Sequence, residues 1–255
     1  MESVFIVSMK KTFTLFAVLA SVSFLFTQCK KTDNFQSDAL TDYMQLQVGK
    51  YVIYRLDSMR FVNLDTLKAS YQAKDEIDGT LTDNLGRPSW RVVRYLRDVD
   101  GSQPWMESMT YMITPTRETV EVIEDNFRYQ KLKLPITEGF NWKGNTYISL
   151  FSNDPNWDYR FMDDWDYTYE NVGGDYTTPM GNISNTITVN QQDEVLGFPN
   201  DPLGYSERNF AVEVYGKGIG LIYKDFVHSQ YQPASGGNPA YRLGFGIRLN
   251  MLSHN

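Results

Sequence analysis

The stretch "EVIEDNFRYQ", residues 121–130, decides the fold class. Two runs, "ETVEVIE" (118–124) and "FRYQKL" (127–132), are separated by Asp125 and Asn126 alone. A two-residue link between such runs reads as a β-hairpin whose turn needs φ > 0. Asn and Asp accept that conformation more readily than other residues with a side chain.

The same signature extends in both directions. In "YVIYRLDSMRFV" (51–62), Val52, Tyr54 and Leu56 share one side and Tyr51, Ile53 and Arg55 the other. In "LKASYQAKDEI" (67–77), Leu67, Ala69, Tyr71 and Ala73 oppose Lys68, Ser70, Gln72 and Lys74. Such alternation marks half-buried strands. Further strands are expected at 89–99, 105–114, 146–151, 157–172, 184–195, 208–215, 219–230 and 240–250, with turn signals at Asp78-Gly79 and Asp100-Gly101. Gly216, Gly218 and Gly220 permit a tight turn or bulge. Trp142, between Gly139 and Gly144, is expected on a loop that folds back to plug the barrel mouth. No apolar stripe of helical period is sustained. The expected fold is therefore all-β: a strongly curved antiparallel meander, half-barrel or barrel, with a β-sandwich as the alternative.

The N-terminal "MKKTFTLFAVLASVSFLFTQCKKTDN" (9–34) has a different character. Lys10 and Lys11 precede an uncharged apolar run from Phe13 to Phe26. As a helix that run would rise about 21 Å, short for a bilayer core of roughly 30 Å, which suits a signal-peptide helix. It ends at Cys29, the single cysteine. The arrangement resembles a bacterial lipoprotein signal with a relaxed "FTQC" lipobox, in which the cysteine becomes the lipidated N-terminus. Each buried CH₂ of an acyl chain contributes ~0.8 kcal/mol, so two or more chains anchor stably. The expected organisation is a signal peptide over 1–28 with Met9 as the true start, a polar lipid-anchored tether over 29–42, and one β domain over 43–255. The membrane, reached through lipid on Cys29, is then the first partner.

A formal net charge of −7 argues against nucleic acid, which needs a basic stripe to release counterions. The two histidines, His228 and His254, cannot build a zinc site or a triad, and no H-E-x-x-H or G-x-S-x-G occurs. No catalytic residue, metal or cofactor is expected.

The segment "NDPNWDYRFMDDWDYTYENVGGDYTTP" (153–179) interleaves aromatics with acids. Trp157, Tyr159, Asp163, Trp165 and Tyr167 form a candidate ligand site: rings stack on the apolar face of a sugar while carboxylates accept its hydroxyls. The competing reading is structural, since a strand over 165–170 sends Trp165, Tyr167 and Tyr169 to one buried face. Asp154, Asn156 and Asp158 alternate as in a calcium loop, but Tyr159 stands where that loop needs Gly and Trp165 where it needs Glu. The second function class is a glycoside hydrolase using acids of 158–170, such as Asp163, Asp164, Asp166 and Glu170. If the curved sheet encloses an apolar cavity, the ligand is apolar instead. A structural accessory of an outer-membrane assembly is the third class.

"DYMQLQVGKYVIYRLDSMRF" (42–61), "LKLPITEGFNWKGNTY" (132–147), "YGKGIGLIYKDF" (215–226), "DNLGRPSWRVVRYLRD" (83–98) and "YRLGFGIRLNMLSHN" (241–255) together resemble a family of uncharacterised Bacteroidota lipoproteins. The resemblance implies an outer-membrane envelope protein, facing either side, with a single β domain. It supplies no catalytic residues.

Overall fold

The computed structural model describes residues 37–148 and 157–255, with Trp157 and Asp158 as backbone alone. Cys29, the expected signal peptide and residues 30–36 lie outside the described residues. The diagnostic hairpin forms as read. Strand β5 (Thr119–Glu124) joins β6 (Phe127–Lys133) through Asp125 at φ 52° and Asn126 at φ 65°. The other strands are β1 (Tyr51–Asn63), β2 (Asp65–Thr82), β3 (Pro88–Asp98), β4 (Met106–Pro115), β7 (Asn141–Lys143), β8 (Asp166–Thr178), β9 (Gly181–Gly197), β10 (Ser206–Gly216), β11 (Gly220–Gln232) and β12 (Tyr241–His254).

All twelve lie in one antiparallel sheet of order β6-β5-β4-β3-β2-β1-β12-β11-β10-β9-β8-β7. The first and last strands pair along their whole length, from Val52 opposite His254 to Asn63 opposite Arg242. The sheet's two edges are therefore β6 and β7, consecutive in the chain. Rolled up, the sheet is a nearly closed barrel with its seam between them. A short β7 cannot form a full ladder there, and side chains complete the closure. Gln130 N–H donates to the Gly144 carbonyl at 2.8 Å, and the Trp142 Nε1–H donates to the Gln130 carbonyl at 2.8 Å. The Tyr169 hydroxyl bridges the N–H and carbonyl of Lys133, both at 2.8 Å. Gly144 is required at this point: a Cβ would stand 2.4 Å from the Tyr167 ring.

Four sequence expectations are corrected. Asp78-Gly79 is not a turn; β2 runs through it with a bulge after Ile77, and Arg91 clasps Asp78 at 2.8 and 2.6 Å. The strand expected at 146–151 is not formed at Thr146–Ile148, the part of it described, which is turn and coil. The strand expected at 157–172 starts only at Asp166. Trp157–Met162 is a 3-10 helix, which a cluster of Asp, Asn and Pro before it favours. Trp142 sits not on a loop at the mouth but on β7 in the core, 4% exposed.

An antiparallel meander alternates its turns between two ends. One end carries the turns at 99–105, 125–126, 198–205 and 233–240 and is called the mouth. The other carries those at 83–87, 116–118, 179–180 and 217–219 and is the base. A 3-10 helix, Leu40–Tyr43, seals the base: Leu40 and Tyr43 are buried, and the Asp42 carbonyl accepts from Gly218 N–H at 2.7 Å. The compact unit thus begins at Ser37, and residues 37–42 of the expected tether pack as part of the domain. Among the described residues, both apolar clusters and all the strands lie in Ser37–Asn255, so this unit has its own core and is expected to fold by itself.

Candidate ligand-binding cavity

Period-two alternation makes the barrel interior a set of inward rows, one per strand. Several rows carry a charge at mid-height. Asp75 of β2, Arg94 of β3, Glu124 of β5, Lys131 of β6, Glu213 of β10 and Lys224 of β11 meet there, three acids and three bases. Arg94 grips Asp75 with two hydrogen bonds of 2.6 Å, and the Tyr111 hydroxyl donates to the same carboxylate at 3.0 Å. Lys131 Nζ donates to Glu213 Oε1 at 2.7 Å, and the Tyr215 hydroxyl to Glu213 Oε2 at 2.6 Å. Glu124 lies between the two pairs, 3.7 Å from Arg94 Nη1 and 3.6 Å from Lys224 Nζ.

Burial resists charge on each of these groups, and the neighbours decide the outcome. Burial opposes the charge on Arg94, but Asp75 more than offsets it and the guanidinium is held charged. Burial pushes Glu124 up, yet the joint attraction of Lys224, Arg94 and Lys131 wins and sets its pKa at about 2. Glu213 is lowered by the same contest, with Lys131 and Lys224 prevailing over burial. Burial raises Tyr54, Tyr111 and Tyr215, so their hydroxyls stay protonated and able to donate.

A depressed carboxylate stabilises the fold above its unfolded pKa, and that stability is lost as pH falls through the folded value. For Glu124 the window runs from 4.5 down to about 2 and is worth roughly 3 kcal/mol. Urea midpoints are expected to be flat above pH 5 and to fall steeply below 4.5. Glu124→Gln should lower stability at pH 7 and flatten the acid limb. An unchanged acid limb in that variant would remove Glu124 as its source.

The charged layer divides the interior. Arg94, Glu124 and Lys224 line two cavities, a small one of about 90 Å³ on the base side and one of about 880 Å³ on the mouth side. The larger lies within the range of small-molecule sites. Its walls are Met109, Phe127, Met162, Phe226 and Phe245, with Arg60 also lining it. Aromatic and thioether groups suit an apolar ligand of adaptable shape. Exposed apolar residues gather at the same end, including Leu64, Met106, Phe198, Leu203 and Leu243. The 3-10 helix Trp157–Met162 is fixed beside the cavity by the Phe161 ring, which stacks on His228 at 3.6 Å and 4°. His228 Nδ1–H donates to Asn209 Oδ1 at 2.7 Å, and burial lowers the pKa of the ring.

Among the described side chains, the candidate residues read from sequence are not brought together. Trp165 is 3% exposed and donates through Nε1 to the Phe161 carbonyl at 2.6 Å. Tyr167 is 1% exposed and donates to Asn145 Oδ1 at 2.8 Å. With Tyr169 they form the inward row, while Asp166 and Glu170 face out. Tyr159 lines the large cavity. Asp163 is exposed. The Trp157 side chain lies outside the described residues. Asp164 and Asp166 share Lys143 on the surface at 3.0 and 2.9 Å and face no cleft. Among the described residues, no group of three or more His, Cys, Asp or Glu side chains is placed to hold a metal ion.

The cavity residues themselves were missed. A signal for them exists: Arg94 is in phase with Val92, and Lys224 with Ile222 and Phe226, so both are charges on an otherwise apolar strand face. Nothing local says which groups they meet.

No protein-family model matches the sequence, and no curated protein matches it. Among solved structures, the chain is similar to the crystal structure of a DUF1329 family protein from Desulfovibrio piger. That similarity has 10% identity over 83% of this chain and 87% of the other, with a TM-score of 0.20.

Proposed function

We propose that this protein is a non-enzymatic binding module of a bacterial outer membrane, anchored by lipid on Cys29, whose barrel holds an apolar or amphipathic ligand. The observation that carries the binding reading is the mouth-side cavity of about 880 Å³, walled by Phe and Met side chains. Anchoring is supported by the charged-then-apolar run that ends at Cys29 and by the resemblance to Bacteroidota lipoproteins. Of the two ligand classes read from sequence, the apolar one is favoured over a glycan. Trp165 and Tyr167, two of the rings read as a sugar platform, turn inward. A hydrolase gains no support from Asp163, Asp164, Asp166 and Glu170, which occupy exposed positions.

The test is binding of the neutral fluorophore N-phenyl-1-naphthylamine to residues 37–255. Its emission is expected to rise on binding, and Ala69→Trp, which fills the cavity from its wall, should weaken binding by about tenfold or more, a loss of ~1.4 kcal/mol. Binding that Ala69→Trp leaves untouched would place the fluorophore elsewhere and sink the reading.

A further inference from the structure

We infer that the ligand of the mouth-side cavity is an amphiphile with a single compact anionic head, seated head-down on Lys224 at the charged floor. This rests on the cavity reading above and adds the chemistry of the ligand.

Three observations carry it. First, the residues lining the cavity are locally basic in an acidic chain. Arg60, Arg94 and Lys224 line it with Glu124 and Asp125, three bases to two acids, whereas the whole chain carries −7. Second, Lys224 has unused donor capacity. Its ammonium reaches Glu124 Oε2 only at 3.6 Å and Glu213 Oε1 only at 3.8 Å, both beyond hydrogen-bond length. Its three N–H groups thus remain able to point into the cavity. By contrast, the guanidinium of Arg94 is already committed to Asp75 through Nε and Nη2, and only Nη1 is turned to Glu124 and Met109. Third, the arrangement of apolar and polar groups follows depth. Phe226 lies nearer the mouth than Lys224 on the same inward row, and Phe245 and Met109 line the space between floor and mouth. An apolar chain would lie along these walls and its head would meet the ammonium.

Charge number is limited by the same floor. Glu124 stands 3.6 to 3.7 Å from both cations and Asp125 also lines the cavity, so a dianion would be repelled where a monoanion is tolerated. A carboxylate fits better than a phosphate monoester. A charge-assisted hydrogen bond in a partly dry site is worth roughly ten- to a hundredfold in affinity.

The test compares dodecanoate, dodecyl phosphate, dodecanol and dodecyltrimethylammonium as ligands of residues 37–255 at pH 7, by titration calorimetry below their micelle concentrations. Dodecanoate is expected to bind about tenfold or more tightly than dodecanol, with dodecyl phosphate weaker than dodecanoate and the ammonium amphiphile weakest. Lys224→Met should erase the preference for dodecanoate while dodecanol binding persists, and Lys224→Arg should restore it. Equal binding of dodecanol and dodecanoate by the wild type would overturn the anionic head and leave the cavity reading standing. Tighter binding of dodecyl phosphate would overturn the monoanion assignment, and a preference surviving Lys224→Met would overturn the seat. Binding of none of the four would overturn the cavity reading itself. The wild-type comparison decides the charge question even where Lys224→Met does not fold.

Discussion

Glu213→Ala is expected to cost about 3–5 kcal/mol of folding stability, measured as a shift of the urea midpoint at pH 7. Glu213 is 2% exposed and accepts from Lys131 and from the Tyr215 hydroxyl. Lys131 is itself buried, and among the described residues Glu213 is the only carboxylate within ion-pair distance of it. Deleting the acid leaves an ammonium enclosed in the barrel with no carboxylate in ion-pair contact among the described residues. Such an orphan is far more costly than the pair was beneficial, because bringing both ions out of water nearly cancels their attraction. The double variant Lys131→Met/Glu213→Leu should therefore recover most of the loss. A single variant costing under about 1 kcal/mol would mean that water reaches Lys131 and that the layer is not dry.

Trp142→Ala is expected to cost a similar amount, about 3–5 kcal/mol, for a different reason. The ring packs edge-on to Tyr167 at 5.7 Å, lies 4.6 Å from Tyr169 and stacks on Phe140 at 6.0 Å. Its removal opens a large void, and the Gln130 carbonyl loses its donor. Both effects fall on the seam, where one backbone bond joins β6 to the segment after β7. Amide exchange separates this from a general loss of core. In Trp142→Ala the Gln130 amide should lose protection well before amides of the β1–β12 pair, such as those of Leu56 and Leu249, which lie inside a continuous ladder. Simultaneous loss at both places would show that the seam is no weaker than the rest of the wall.

Much of the fold was legible because it is written locally. Asp125-Asn126 specified its own turn, and the alternation through Tyr54 and Leu56 specified which side of β1 would be buried. The inward row of Trp165, Tyr167 and Tyr169 was readable for the same reason. Asp78-Gly79 misled because a turn signal and a bulge signal use the same residues, and only pairing with Arg91 on the neighbouring strand separates them. The 3-10 helix at Trp157–Met162 was misread as strand because its aromatic content resembles that of the strand that follows. The cavity was not legible as a site at all. Phe226, Phe245 and Met109 look like ordinary strand residues, and their common space exists only once distant strands curve around it.

By itself, the chain's order of residues determined that the protein is built of antiparallel hairpins, since turn chemistry and period-two alternation act between neighbours. It also set the acidic balance and the run ending at Cys29. The tertiary structure alone decided that the first and last strands meet, that the edges close at β6 and β7, and that the interior charges neutralise one another. Lys131 and Glu213 are 82 residues apart, and no local pattern links them. Curvature brings them within hydrogen-bond reach, and the low dielectric of the interior makes that meeting obligatory, because either charge alone could not remain there.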